Sequence, residues 1–115
     1  MKYSGGCHCG EIRFEVEMEI KELVSCNCSI CSKRGHLLAF TSDQKFSLLS
    51  GENSITDYQF GKKSIHHYFC KFCGIGAFGK GSMPDGTPMR SVNARCLDDI
   101  DIDQFPIYQF DGKSL

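Results

Sequence analysis

The run Ser25-Cys26-Asn27-Cys28-Ser29-Ile30-Cys31 places three thiols within six residues, at i, i+2 and i+5. Cysteines this close cannot pair sensibly as disulfides, yet a single turn of chain can aim all three sulfurs at one point, which is metal-ligand geometry. Zinc held by three protein groups keeps a coordination position for water or substrate, whereas a fourth protein ligand closes the site and makes it structural. Two further clusters lie in Gly6-Cys7-His8-Cys9-Gly10 and Phe69-Cys70-Lys71-Phe72-Cys73-Gly74, the second with zinc-knuckle spacing. The eighth cysteine, Cys96, stands alone.

The seven clustered thiols divide most simply as four plus three. Cys7 and Cys9 with Cys70 and Cys73 would make one site, tying an N-terminal turn to a knuckle about sixty residues later. A closed tetrahedral zinc site contributes about 10–16 kcal/mol of apparent binding free energy, which becomes folding free energy because the unfolded chain has no preformed site. Cys26, Cys28 and Cys31 then form a second site. His8, His36, His66, His67 or Cys96 could complete it as another closed site, although His8, set between two thiols, is expected to point away. The expectation is two zinc ions per chain, one structural and one catalytic.

Three thiolates donate more charge to zinc than three imidazoles, so such a metal is a weak Lewis acid and lowers the pKa of a bound water less than a three-histidine site does. Hydrolysis is therefore disfavoured. The same soft site welcomes a fourth thiolate from a substrate, holding it deprotonated at neutral pH. The sequence has no nucleophile-elbow motif, no His-Glu zinc motif and no carboxylate pair that would suggest other chemistry.

At 115 residues the chain fits a single domain, residues 1–115. Hydrophobic residues make up 41% of it, with no apolar run near the roughly 18 residues needed to span a bilayer. The net charge is −1 and the Lys and Arg residues are scattered, so neither nucleic acid nor membrane is an expected partner. No apolar signal region precedes Cys7. The expected setting is the reducing cytoplasm, where clustered cysteines read as metal ligands rather than disulfides.

The elements that must position these thiols read as short strands. Glu11 to Glu17 alternates polar and apolar residues, predicting a half-buried strand with Ile12, Phe14 and Val16 facing inward. Leu23-Val24-Ser25 predicts a strand delivering the chain to the three-thiol run. Ser32-Lys33-Arg34-Gly35 predicts a short helical turn closed by glycine. Residues 37–40, 45–49 and 55–60 read as successive antiparallel strands, Ile65 to Cys70 as a strand entering the knuckle, and Ile75 to Gly79 as a glycine-rich strand. A polar loop from Gly81 to Pro88 precedes a strand from Met89 to Leu97 carrying Cys96. The tail containing Phe105, Pro106, Ile107, Tyr108 and Phe110 is expected to pack across the sheet.

Taken together, Gly6-Cys7-His8-Cys9-Gly10, Cys26-Asn27-Cys28-Ser29-Ile30-Cys31, Phe69-Cys70-Lys71-Phe72-Cys73-Gly74 and Asn93-Ala94-Arg95-Cys96-Leu97-Asp98 resemble the glutathione-dependent formaldehyde-activating enzyme family, which includes centromere protein V. The resemblance covers nearly the whole chain. It implies a mainly β, Mss4-like, zinc-supported antiparallel fold, with Cys7, Cys9, Cys70 and Cys73 at the structural metal and Cys26, Cys28 and Cys31 at the catalytic one. It implies a carbon-sulfur lyase or synthase joining a small-molecule thiol such as glutathione to a small carbonyl compound such as formaldehyde. Arg90, Arg95, Lys33 and Arg34 could meet a substrate carboxylate. Two other readings are a noncatalytic zinc module that binds a partner protein, and a redox enzyme using Cys96 with Arg95 lowering its pKa, as in methionine sulfoxide reductases.

Overall fold

Ile12, Phe14 and Val16 are 1%, 0% and 1% exposed, so the alternation in that stretch does mark its buried face. The computed structural model describes residues 1–115. Its ten strands are β1 (Lys2–Gly6), β2 (Arg13–Glu17), β3 (Leu23–Cys26), β4 (Leu38–Ser42), β5 (Phe46–Ser50), β6 (Ile55–Tyr58), β7 (His66–Cys70), β8 (Phe78–Ser82), β9 (Pro88–Asn93) and β10 (Ile107–Phe110). One four-residue helix, α1 (Cys31–Arg34), follows the three-thiol run. No helix is long and apolar enough to cross a membrane.

The strands make two sheets, a three-stranded one in the order β1-β2-β5 and a seven-stranded one in the order β10-β3-β4-β9-β8-β7-β6. Between them lies a core whose centre is aromatic. Phe14 stacks on Phe46 with ring centroids 5.2 Å apart, and both meet Phe78, at 5.7 and 4.7 Å. Such pairs add about 0.5–1.5 kcal/mol each beyond the area they bury. Leu23, Ala39 and Val92 close the core from the larger sheet. Side chains alternate between faces of a strand, so their neighbours Val24, Leu38 and Ser91 are turned to the opposite face.

One strand had no sequence signal, and two expectations need correction. Lys2–Gly6 is a strand, pairing with β2 from Lys2 opposite Glu17 to Gly6 opposite Arg13. Its glycines serve close approach, for a Cβ on Gly5 would stand 2.5 Å from the Cys96 carbonyl oxygen. The strand expected over Met89 to Leu97 ends at Asn93, whose side chain accepts a hydrogen bond from the Arg95 N–H and turns residues 94–96 into a 3-10 turn. Cys96 is therefore not a strand residue. The tail does not lie across the sheet: β10 extends its edge, paired parallel to β3 from Ile107 opposite Leu23 to Phe110 opposite Cys26. This is one parallel pair in an otherwise antiparallel structure.

Candidate metal centres and the cavity beside them

The knuckle is built by local hydrogen bonds that bend the chain around a sulfur. The Gly74 N–H donates to the Cys70 carbonyl at 2.8 Å, Gly74 turns with φ 77°, and the Phe72 N–H points at Cys70 Sγ from 3.4 Å. The first cluster repeats the device, with the Ile12 N–H 3.3 Å from Cys7 Sγ. Tertiary pairing then brings the turns together, so that the sulfurs of Cys7, Cys9, Cys70 and Cys73 all lie within 4.8 Å of one another. Cys9 Sγ is 3.6 Å from both Cys7 Sγ and Cys70 Sγ.

That spacing is far too long for disulfides. It fits a metal ion, because Zn–S bonds of about 2.3 Å set tetrahedral sulfurs about 3.8 Å apart. Four thiols so crowded cannot all ionise without a cation. The Ile75 and Cys9 N–H groups bring Cys73 down to about 6. Cys9 goes the other way, to about 12, the Glu11 N–H that favours its thiolate being outweighed by desolvation and by the sulfurs of Cys70, Cys7 and Cys73.

The second cluster joins Cys26, at the end of β3, to Cys31, the first residue of α1. Cys26, Cys28 and Cys31 also have their sulfurs within 4.8 Å of one another. Here too backbone serves sulfur, the Cys28 N–H lying 3.4 Å from Cys26 Sγ. Helix α1 ends as expected on Gly35, whose φ of 66° and N–H to the Cys31 carbonyl form a left-handed cap. No fourth Cys, His, Asp or Glu joins the group. His36 comes nearest, its Nε2 3.2 Å from Cys31 Sγ, as a hydrogen-bond partner of the thiol. Burial first, then Arg34 and His67, pushes His36 down to about 4, so it is neutral near pH 7.

A cavity of about 350 Å³ opens directly beside this cluster, lined by all three of its cysteines and mostly by apolar side chains. Its floor is one row across the large sheet: Tyr108, Val24, Leu38 and Asn93 stand opposite one another on β10, β3, β4 and β9. Period-two alternation puts Cys26 on the same face as Val24. Sequence reasoning had no signal for this cavity, because its floor is assembled by register between strands far apart in the chain.

The other candidate residues are dispersed. His66 pairs with Asp57 at 2.6 Å, while His67 lines the cavity with its pKa lowered by burial and by Arg34. Arg90 is committed to Asp43 at 2.7 Å and lies over the Phe46 ring, so it does not wait for a substrate. Arg95 and Lys33 are exposed and outside the cavity, whereas Arg34 lines it. Burial, with the Cys7 and Cys73 sulfurs nearby, pushes Cys96 up to about 11. A nucleophilic cysteine requires the opposite shift.

A further contact was not legible in the sequence. Beyond β10 the chain curls back over the three-thiol run, where Asn27 Nδ2 donates to Asp111 Oδ1 and Asn27 Oδ1 accepts the Lys113 N–H, both at 2.9 Å. The strand that leads into this turn, β10, contributes Tyr108 and Phe110 to the cavity lining.

The sequence model of the family described as glutathione-dependent formaldehyde-activating enzyme matches residues 2–109. Among solved structures, a crystal structure of a Rhodobacter sphaeroides protein is similar to this chain at 28% identity, with a TM-score of 0.79 over 91% of this chain and 99% of that one.

Proposed function

Because the chain belongs to the glutathione-dependent formaldehyde-activating enzyme family, we propose that it is a zinc-dependent carbon-sulfur lyase or synthase acting on adducts of a small thiol with a small carbonyl compound. Family membership supports a glutathione-related activity. The observation that carries the rest is a cluster of three thiols, with no fourth protein ligand, at the edge of a substrate-sized cavity. The four-thiol site, whose cysteines do not line that cavity and which holds two distant turns together, takes the structural role.

In this reading Cys26, Cys28 and Cys31 hold the catalytic zinc, and Cys7, Cys9, Cys70 and Cys73 hold the structural one. When bound at the open site, zinc supplies stabilisation of a substrate sulfur as thiolate at neutral pH. The Cys31 sulfur is steadied by His36, and the apolar walls exclude water from the reacting sulfur. In the joining direction a sulfur lone pair forms the C–S bond, the carbonyl π pair moves to oxygen, and that oxygen takes up a proton equal to the one the thiol gave up. Cleavage reverses each transfer, so no oxidant or reductant is required. Neutral His36 and His67 add hydrogen-bonding capacity without adding charge.

The test is metal content and thiol binding. The expected result is two zinc ions per chain, with glutathione changing the absorption of cobalt-substituted protein through new thiolate-to-metal charge transfer. Cys28→Ser should abolish that response and spare the fold. A spectrum indifferent to every thiol, with a protein group in the fourth position, would leave the noncatalytic zinc module as the better account.

A further inference from the structure

Within the thiol-binding reading, the chemistry of the cavity wall specifies which thiols fit. Arg34 lies three residues after Cys31 on α1, the spacing that puts two side chains on one helix face. It is half-buried and lines the cavity. Its guanidinium reaches across to Gly76 and occupies the space a side chain there would need, since a Cβ on Gly76 would stand 2.7 Å from Nη1 and 2.9 Å from Cζ.

What distinguishes Arg34 is the lack of any partner in a half-buried position, for Arg95, the other arginine without an ion pair, is exposed. Arg13 is paired with Asp98, Arg90 and Lys80 with Asp43, and Lys2 with Glu15. Arg34 forms no ion pair, and its guanidinium donates no hydrogen bond within the chain. No Asp or Glu lines the cavity. A cation held against apolar walls without a counter-charge is unfavourable, and its planar fork of donors matches a carboxylate in two parallel hydrogen bonds. An ammonium group, in contrast, meets no acidic side chain there.

We infer that Arg34 is the carboxylate anchor of the thiol site, which takes short thiols bearing a carboxylate and does not read an amino group. For a peptide thiol such as glutathione, a carboxylate is then seated on Arg34 while the ammonium group stays at the mouth, in water. Arg34 here binds substrate and takes no part in the reaction at carbon.

The experiment titrates cobalt-substituted holoprotein with 3-mercaptopropionate, 2-mercaptoethanol and cysteamine, in the parent and in Arg34→Gln. Comparing each thiol with itself across the two proteins cancels differences in thiol acidity. The expected result is a loss of about tenfold in 3-mercaptopropionate affinity, the scale of a charge-assisted bidentate pair, with 2-mercaptoethanol unchanged and cysteamine equal or tighter. Gly76→Ala, which collides only with the flexible end of Arg34, should reproduce the direction of the effect, and Arg34→Lys should recover part of the loss. If Arg34→Gln weakens all three thiols equally, Arg34 serves only to balance the charge of the thiolates and the anchor assignment is overturned. An unchanged 3-mercaptopropionate affinity overturns it as well, while the response to 2-mercaptoethanol keeps the thiol-binding reading intact. A spectrum that responds to none of the three overturns both.

Discussion

Gly112 lies with its backbone against the sulfur of Cys26: a Cβ built on Gly112 would stand 2.6 Å from Cys26 Sγ and 3.3 Å from Cys28 Cβ. The C-terminal turn is thus fitted over the three-thiol cluster, leaving no room for even a methyl group. Gly112→Ala should displace either the turn or the Cys26 sulfur. Zinc content should fall from two ions per chain toward one, with the surviving ion at the four-thiol site. Metal analysis decides it, and an unaltered stoichiometry together with unaltered thiol binding would show that the turn gives way without consequence.

Asn27 fastens the same turn. Asn27→Ala removes its hydrogen bonds to Asp111 and Lys113, and amide exchange at Phe110 to Lys113 should quicken by about fivefold for each net hydrogen bond of about 1 kcal/mol that is lost. The pH dependence follows from Asp111, whose carboxyl is held below the usual carboxylate range by Ser114 and then by Asn27. A folded-state pKa lowered in this way contributes stability that is complete above the unfolded carboxylate value and lost as pH falls through the folded one. In Asn27→Ala the Asp111 pKa should therefore rise, so that the acid loosening contributed by this carboxylate should be smaller and complete at higher pH. An NMR titration of Asp111 in both proteins checks the sign.

Cys70 is fully buried, with 0% of its surface exposed. Cys70→Ser breaks the clasp between segments sixty-one residues apart, so soluble yield should collapse or the melting temperature fall by at least about 10 °C. A strong chelator should reproduce the effect in the parent protein. A stable, fully folded Cys70→Ser would remove the structural role from the four-thiol site.

Cys96 should be the slow cysteine. If the other seven thiols hold metal as proposed, mild alkylation of the native protein should modify at most this residue. Its thiol, pushed up to about 11 chiefly by burial, should react at pH 8 about tenfold more slowly than an unperturbed one, because the smaller thiolate fraction is only partly offset by the greater nucleophilicity of a more basic thiolate. The rate should climb as pH approaches 11. Cys96→Ser should leave zinc content intact, and a Cys96-dependent reduction of methionine sulfoxide would instead restore the redox reading.

The sequence by itself determined which cysteines belong to which group. Cys26, Cys28 and Cys31, or Cys70 and Cys73, lie within a turn of one another, and spacing over so few bonds constrains where the sulfurs can go whatever the rest of the chain does. The same locality made the Ile12, Phe14 and Val16 face and the Gly35 cap legible, since each depends on a period or a dihedral angle within a few residues.

Tertiary structure decided everything that depends on which strands become neighbours. Lys2–Gly6 lacks an apolar alternation and is a strand only because β2 offers it a partner edge. The sequence does not tell which of Arg34 and Arg90 is paired, yet register places Asp43 beside Arg90 and no ion-pair partner beside Arg34. Cys96 resembled a strand residue until Asn93 capped the turn that buries it. The cavity is decided last of all, because Tyr108, Val24, Leu38 and Asn93 become one row only through hydrogen bonds between distant strands. Those bonds join backbone groups that every residue carries alike, so their pairing leaves little trace in the order of side chains.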